Sequence, residues 1–329
     1  MKINFSIITP TFNSEKYIYK VLDSLAKQDE IDFEVLIIDA GSKDKTIEIC
    51  EKFKKKIKIS FYDNKVGDSE TAKYIGIENS KGKFIVLLDS DNIIQSNKWL
   101  SSALNIFNEY ENVVCIETPW LINKNDSIYN QYFSLMQIGD PFVKYFSPKY
   151  MTSYLIKETN EYKIIKHNEK SPPVTSSGNG VFYKKERLNR NINKKNKFEE
   201  SNYSSFLISE GYLFAMLKYP ISTHHIYTEN FTDFLKKRKR TAIKFFLRKK
   251  EGQTTWVDKI GIFWSFLVTL YSISIIGPAI ESLIQIFRTR NKSWIIHPLA
   301  LFLTTVIYIY YYFKFIVLKI NINRKTEHH

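Results

Sequence analysis

The first hundred residues alternate between short apolar runs and amphipathic segments, and few folds accept that order. "INFSIITP" reads as a strand. "SEKYIYKVLDSLAKQ" follows, with Tyr17, Ile18, Val21, Leu22 and Leu25 on one helical face and Ser14 or Asn13 as its cap. "FEVLIIDA" is a second strand, and "GSKDKTIEICEKFKKK" a second helix with Ile47, Cys50 and Phe53 turned inward. "IKISFYD", "DSETAKYIGIENS" and "KFIVLLDSD" repeat the pattern as strand, helix, strand. Such alternation specifies an α/β fold with a doubly wound, mostly parallel, Rossmann-like sheet. Ligands of these sheets bind at the carboxyl ends of the strands. Thr9 to Phe12, Asp39 to Ser42 and Asp89 to Asp91 therefore fall along one rim.

The rest of the chain changes character twice. Pro119, Pro141, Pro148, Pro172 and Pro173 and many aromatics mark an irregular insertion up to about residue 175 that shapes a pocket. "SSGNGVFYKKE" is a Gly-containing loop entering a short strand, and 199–217 reads as helical. Residues 233–250 then place Phe234, Leu235, Ile243, Phe245, Phe246 and Leu247 among nine Lys and Arg, a pattern suited to a membrane interface. A solvated charged face is the plainer reading. Two apolar stretches follow, one carrying only Glu281 and the other only His297 and Lys314, each long enough to cross a bilayer. A hairpin that does not fully cross is the alternative.

The formal charge of +14 calls for a polyanionic partner. No nucleic-acid-binding motif is present and the basic run adjoins apolar spans, so the expectation is an anionic membrane surface and no nucleic acid. Cys50 and Cys115 lack metal-thiolate spacing. The amino terminus enters a strand rather than a signal peptide. These features predict a cell-membrane location, multi-pass or hairpin-anchored, with a cytoplasmic catalytic domain.

"LLDSDN" ends the greasiest soluble strand with two carboxylates, Asp89 and Asp91. Burying both without compensation is costly. Mg²⁺ or Mn²⁺ takes one or two carboxylates plus substrate phosphates and removes the cost. Alone, the pair also reads as a turn or a helix cap.

The stretches "FSIITPTFNSEKYIYKVLDSLAKQ", "FEVLIIDAGSKDKTIEI" and "GKFIVLLDSDN", in that order, resemble the nucleotide-sugar domain of family 2 glycosyltransferases of GT-A fold. The resemblance covers about the first 115 residues and extends more loosely to "SSGNGVFYKKE" and "EESNYSSFLISEGY". It implies inverting transfer from a nucleotide-sugar donor with a divalent metal, Mg²⁺ or Mn²⁺. Pro10, Thr11 and Phe12 would flank base and ribose, and Asp39 would accept a hydrogen bond from the base. Lys73, where relatives often carry Arg, would reach the diphosphate; a solvated lysine is the other reading. Asp89 and Ser90 would meet the donor, and Asp89 and Asp91 the metal. Asp44 reads as a helix cap or a ligand contact. Ala40 stands where many relatives carry a second Asp.

The resemblance also implies a base from an acid opening a helix after the Gly-containing loop. "KFEESNY" supplies Glu200, with Glu199 beside it; either also reads as a helix-terminus carboxylate. His224 and His225 match the family position that reaches back to the metal or diphosphate, and His225 is taken as the ligand. Lys236, Lys237, Arg238 and Arg240 would touch headgroups or an acceptor phosphate. The expected division is 1–118 for the nucleotide-sugar half and 119–227 for the acceptor half. A basic interface region at 228–256, two transmembrane helices at 257–320 and a tail at 321–329 complete it. The function so implied is transfer to a lipid-linked (polyprenyl) acceptor. A polyprenyl-phosphate sugar synthase and a non-catalytic nucleotide-sugar-binding membrane protein stay open beside it.

Overall fold

A computed structural model describes residues 3–29, 31–146, 153–169, 179–188, 196–250 and 261–320. The start of the Gly-containing loop (176–178), the end of the basic region (251–256) and the tail from 321 lie outside those residues. The chain divides into two compact units. One comprises Met1–Leu121, Ser153–Glu169 and Thr175–Ile226, and the other Ile122–Thr152, Lys170–Val174 and Tyr227–His329.

Among the described residues the strands are β1 (Phe5–Thr11), β2 (Phe33–Asp39), β3 (Lys58–Asp63), β4 (Phe84–Leu88), β5 (Asn92–Ile94), β6 (Val113–Glu117), β7 (Ser153–Glu158), β8 (Tyr162–His167), β9 (Asn179–Lys184), β10 (Leu213–Leu217) and β11 (Thr223–His225). The helices are α1 (Glu15–Ala26), α2 (Thr46–Phe53), α3 (Ser69–Asn79), α4 (Trp99–Glu109), α5 (Ile128–Met136), α6 (Lys185–Leu188), α7 (Glu200–Ser209), α8 (Phe231–Lys250), α9 (Ile262–Ser274), α10 (Ile276–Thr289) and α11 (His297–Tyr312).

The first unit is built on a nine-stranded sheet in the order β3-β2-β1-β4-β9-β6-β10-β8-β7. Its inner strands are apolar at successive positions because helices cover both faces. Phe5, Ile7, Val35, Ile37, Phe84 and Val86 pack with α1, α2 and α4. Ile8, Leu36, Ile38, Ile85 and Leu87 pack with α3 and α7 on the other side. Burying one such side chain contributes ~1.5–3 kcal/mol, so strand runs of this kind fix the sheet.

The sheet is mixed rather than mostly parallel. β1–β2, β2–β3, β1–β4 and β6–β10 pair in parallel, while β4–β9, β6–β9, β8–β10 and β7–β8 are antiparallel. β9 returns after the insertion and runs down the middle, and all six of its residues are buried. The insertion is also more regular than expected, since it holds α5 and the β7–β8 hairpin at the sheet edge. Residues 199–217 are not one helix. α7 stops at Ser209, Gly211 turns the chain at φ +76°, and β10 follows.

In the second unit, α8 is the expected basic helix. Its buried side repeats every four residues at Phe234, Arg238, Ala242 and Phe246. Ala242, Ile243 and Phe246 pack with Tyr308 and Tyr311 of α11. Among the described residues one helical run, Lys292–Val317, is long and apolar enough to cross a membrane, with a mean hydropathy of 1.6. The other expected span is broken: α9 and α10 meet at a 76° bend. Ile275 at the break has φ +59°. Gly277 lies so close to the Tyr271 ring that a Cβ would sit 2.4 Å from it, and Pro278 occupies the first turn of α10.

Candidate active site

The rim at the carboxyl ends of β1, β2 and β4 is formed as its sequence suggests. Thr11 stands opposite Asp39 in register. Asp39 Oδ1 accepts from Thr11 Oγ1 at 3.0 Å and Ser42 Oγ at 2.6 Å. Its Oδ2 accepts from the Gly41 and Ser42 amides at 2.9 and 2.8 Å. Four donors fill the roughly four acceptor positions of a carboxylate. Asp39 therefore closes the loop to Ser42, with Gly41 at φ +89°, and has little capacity left for a nucleobase. Asp44 is a local cap, accepting from the Thr46 amide and hydroxyl at 3.0 and 2.5 Å and from the Glu15 amide at 3.0 Å. Phe12 is 50% exposed on the rim, beside buried Thr11.

β4 delivers Asp89, Ser90 and Asp91 onto this rim, all partly exposed. The Ser14 and Ser90 hydroxyls are hydrogen-bonded at 2.8 Å, which ties the loop before α1 to the carboxylate pair. β5 pairs with β11 so that His225 stands opposite Asn92. That register brings His225 Nε2 to 3.7 Å from Asp91 Oδ2. Trp120 packs edge-on against the His225 ring at 4.6 Å and bridges to Thr223, fixing the imidazole. His224, the neighbouring residue, is only partly buried.

The acidic pair is held by α3. Three contacts tie residues 197–200 to the start of α3: Lys197 Nζ to Asp68 Oδ2 at 3.3 Å, the Phe198 amide to the Glu70 carbonyl at 3.0 Å, and Lys73 Nζ to Glu200 Oε2 at 2.5 Å. Lys73 and Glu200 are both buried. Burial pulls the Lys73 ammonium down, but the charges of Glu200, Asp89 and Glu199 outweigh it and raise its pKa. Lys73 is thus tied directly to the acid on α7, and the Asp89 charge acts on the same ammonium. Glu199 does a different job: it caps α7, accepting from the Asn202 amide at 2.8 Å. Burial raises its carboxyl to about 7, with the Glu200 charge adding to the effect.

The donor set suits a hard divalent cation. Asp91, in the turn after β4, and His225 of β11 stand close enough to share one ion; the carboxylate suits Mg²⁺ or Mn²⁺, and the imidazole, a borderline donor, favours Mn²⁺ of the two. Among the described residues no cluster of three or more His, Cys, Asp or Glu has metal-holding geometry. Two or so protein ligands with the remaining positions left to phosphate and water is the usual arrangement for Mg²⁺.

A sequence profile of "Glycosyl transferase family 2" matches residues 6–199. The chain belongs to this family. Among individual relatives, the poly(ribitol-phosphate) beta-N-acetylglucosaminyltransferase TarS of Staphylococcus aureus is 35% identical over 119 residues, which is 35% of this chain and 21% of TarS. The glycosyltransferase GlyA of Streptococcus pneumoniae is 24% identical over 209 residues, 62% of this chain and 28% of GlyA. The match thus spans well under half the length of either relative. Among solved structures, the mannosyltransferase PcManGT of Pyrobaculum calidifontis in complex with GDP-Man and Mn²⁺ superposes with a TM-score of 0.55 at 12% identity, covering 94% of this chain and 88% of that one. TarS residues 1–349 give 0.50 at 19% identity, covering 94% and 91%. These likenesses establish the GT-A α/β fold for this family 2 chain.

Several site residues escaped the sequence reading. Trp120 was one: its only local signal is an aromatic just past the end of β6. Ser14 was read solely as a cap. Asn179, buried, accepts from Thr223 Oγ1 at 2.8 Å and donates to the Thr118 carbonyl at 3.0 Å, so it carries β11 to its place. Arg238 was expected at the surface and is 1% exposed, with Nη1 3.0 Å from Asp140 Oδ2. The four-residue spacing that makes α8 amphipathic puts it on the buried side. Lys237 donates to the Tyr227 carbonyl, while Lys236 and Arg240 are exposed.

Proposed function

We propose that this family 2 chain is a membrane-anchored, inverting glycosyltransferase that moves a sugar from a nucleotide-sugar donor to a lipid-linked acceptor at the cytoplasmic face. The observation that carries the reading is the meeting, within one unit, of the Asp89–Asp91 strand end, His225 and the Lys73–Glu200 pair. Residues 1–118 supply the donor half and 119–227 the acceptor half. The base and ribose lie against Pro10, Thr11 and Phe12, and Asp39 shapes the loop beside them. Ser90, held by Ser14, orients the strand end toward the diphosphate.

Asp91 and His225, with Asp89 beside them, would hold Mg²⁺ or Mn²⁺ together with phosphate and water, and the bound ion would supply charge neutralisation for the departing nucleoside diphosphate. Glu200 is the base. It takes the acceptor hydroxyl proton as the acceptor oxygen bonds to the anomeric carbon and the carbon–phosphate oxygen bond breaks on the opposite side, which inverts the centre. Lys73 holds Glu200 toward the donor, and Glu199 fixes the start of α7. Exposed Lys236 and Arg240 lie at headgroups; Arg238 holds its own unit together instead.

A second reading, a polyprenyl-phosphate sugar synthase, draws on the engagement of Glu200 by Lys73: an acceptor phosphate is already ionised and needs no base. The test is transfer from a panel of nucleotide sugars by membranes carrying wild type or Glu200→Gln, with the product's linkage determined. A product on a hydroxyl, lost in the variant, supports the first reading. Undiminished transfer onto a lipid phosphate supports the second. Donor binding with no transfer to any acceptor sinks both and leaves a binding protein.

A further inference from the structure

In the second unit, α9 and α10 carry apolar side chains on the outside. α10 is the clearest case. Ile276, Ile280, Leu283, Ile284 and Phe287, one helical stripe, are 50–81% exposed. Its one carboxylate before the basic end, Glu281, is turned inward. Glu281 accepts from the Tyr145 and Tyr271 hydroxyls at 2.6 and 2.9 Å, and Lys144 Nζ lies 3.2 Å away. α9 repeats the stripe with Ile262, Phe263, Phe266 and Leu270 at 50–90% exposed. A helix in water buries its apolar stripe; these two do the reverse, as helices against lipid do.

The same unit forbids α11 from being a transmembrane span. Tyr308, near the middle of the Lys292–Val317 run, donates to Asp140 Oδ2 at 2.9 Å, and Asp140 is paired with Arg238. Phe246 of α8 lies 6.2 Å from the Tyr308 ring and 6.3 Å from Phe315. α8 carries nine Lys and Arg. Centring α11 in a bilayer would carry an ion pair and a strongly basic helix into hydrocarbon, where charged side chains are costly. α9 and α10, of 13 and 14 residues, are each ~20 Å long at 1.5 Å per residue. With a 76° bend between them, the elbow reaches ~12 Å below the line joining their outer ends, within one ~15 Å leaflet.

We infer that the carboxy-terminal unit is seated in one leaflet of an anionic bilayer, with the α9–α10 elbow as an in-plane wedge and no helix crossing. The partner is a lipid surface because the apolar stripes are edged by exposed Arg288, Arg290 and Lys292, with Lys236, Lys239 and Arg240 exposed on α8. This rests on the membrane-anchored reading above and replaces two spans by none.

The experiment uses the full chain with single cysteines at Arg290 and Lys319, exposed sites at the two ends of the 292–317 run; native Cys50 and Cys115 are buried. Inside-out vesicles from expressing cells are treated with a membrane-impermeant maleimide before and after opening with detergent. Reaction of both cysteines from the same side is the expected result. Reaction from opposite sides, with one cysteine labelled only after opening, overturns the one-leaflet seat while leaving membrane anchoring intact. In parallel, the purified chain is floated with vesicles of phosphatidylcholine containing or lacking phosphatidylglycerol. Flotation at least tenfold greater with the anionic lipid is expected. Failure to float on either, including as a soluble dimer, overturns the membrane reading itself.

Discussion

Replacing Lys73 by Met removes the positive half of a buried ion pair. The ammonium lies 2.5 Å from Glu200, and the two side chains are 7% and 3% exposed. Water is not at hand to take over the carboxylate, so Glu200 is left as an uncompensated buried charge beside Asp89 and Glu199. Breaking a pair of this kind costs about 3–5 kcal/mol. The double variant Lys73→Met, Glu200→Gln removes both charges and should recover a large part of that, with a coupling of ~0.5–3 kcal/mol. The assay is urea unfolding of the four proteins of the cycle, with amide exchange of α3 and α7 locating the loss. The pH dependence has a defined sign. The folded pKa of Lys73 is raised above its unfolded value of ~10.4, so its contribution is complete below that pH and fades only as pH climbs through the folded value. The penalty should therefore be present in full at pH 7–9. A Lys73→Met loss below ~1 kcal/mol, or a double variant no better than the single, would refute the argument that this pair is desolvated and mutually dependent.

Asp91→Asn should abolish transfer with the fold retained, and a chelator should do the same to wild type; full turnover in either would remove the cation from the proposal. On a hydroxyl acceptor, Glu200→Gln should lower turnover by ~10²–10⁴-fold with donor affinity nearly unchanged, and a near-normal rate there would place the base elsewhere. Glu199 tests burial through pH: its folded pKa of about 7 lies above an unfolded ~4.3, so the fold loses stability as pH rises between them. Glu199→Gln should therefore gain on wild type by up to about 3 kcal/mol from pH 4 to pH 8, and equal pH curves for the two proteins would contradict the raised value.

What could be read from sequence follows the range of the forces involved. β1 to β4 and α1 to α3 were legible because each strand is apolar at successive positions and each connection is short. The Asp89–Asp91 rim followed from that alternation. β9 was legible as a strand but not as the centre of the sheet, since its antiparallel partners lie some seventy to a hundred residues earlier in the chain. β10 was merged into a helix because "YLFAML" has no period of its own, although Gly211 marked the stop. Arg238 was misread because its partner, Asp140, is ninety-eight positions away, even though Phe234, Ala242 and Phe246 already outlined the buried side. The elbow had a local signal that hydropathy averaging hides: Gly277–Pro278 in the middle of an apolar run.

The central position of β9 has a consequence for the birth of the chain. β4 and β6 are made early, yet the strand that satisfies the edges between them ends at Lys184, ninety-six residues after Leu88. At ~5–20 residues per second, the ribosome leaves that apolar edge open for about 5–20 seconds. Chains stalled near residue 170 should therefore aggregate or recruit a chaperone, and chains released past residue 220, once β10 has closed the other edge of β6, should not. The region that presents the carboxylates in the finished protein is, during synthesis, among the parts of the sheet that wait longest for a neighbour.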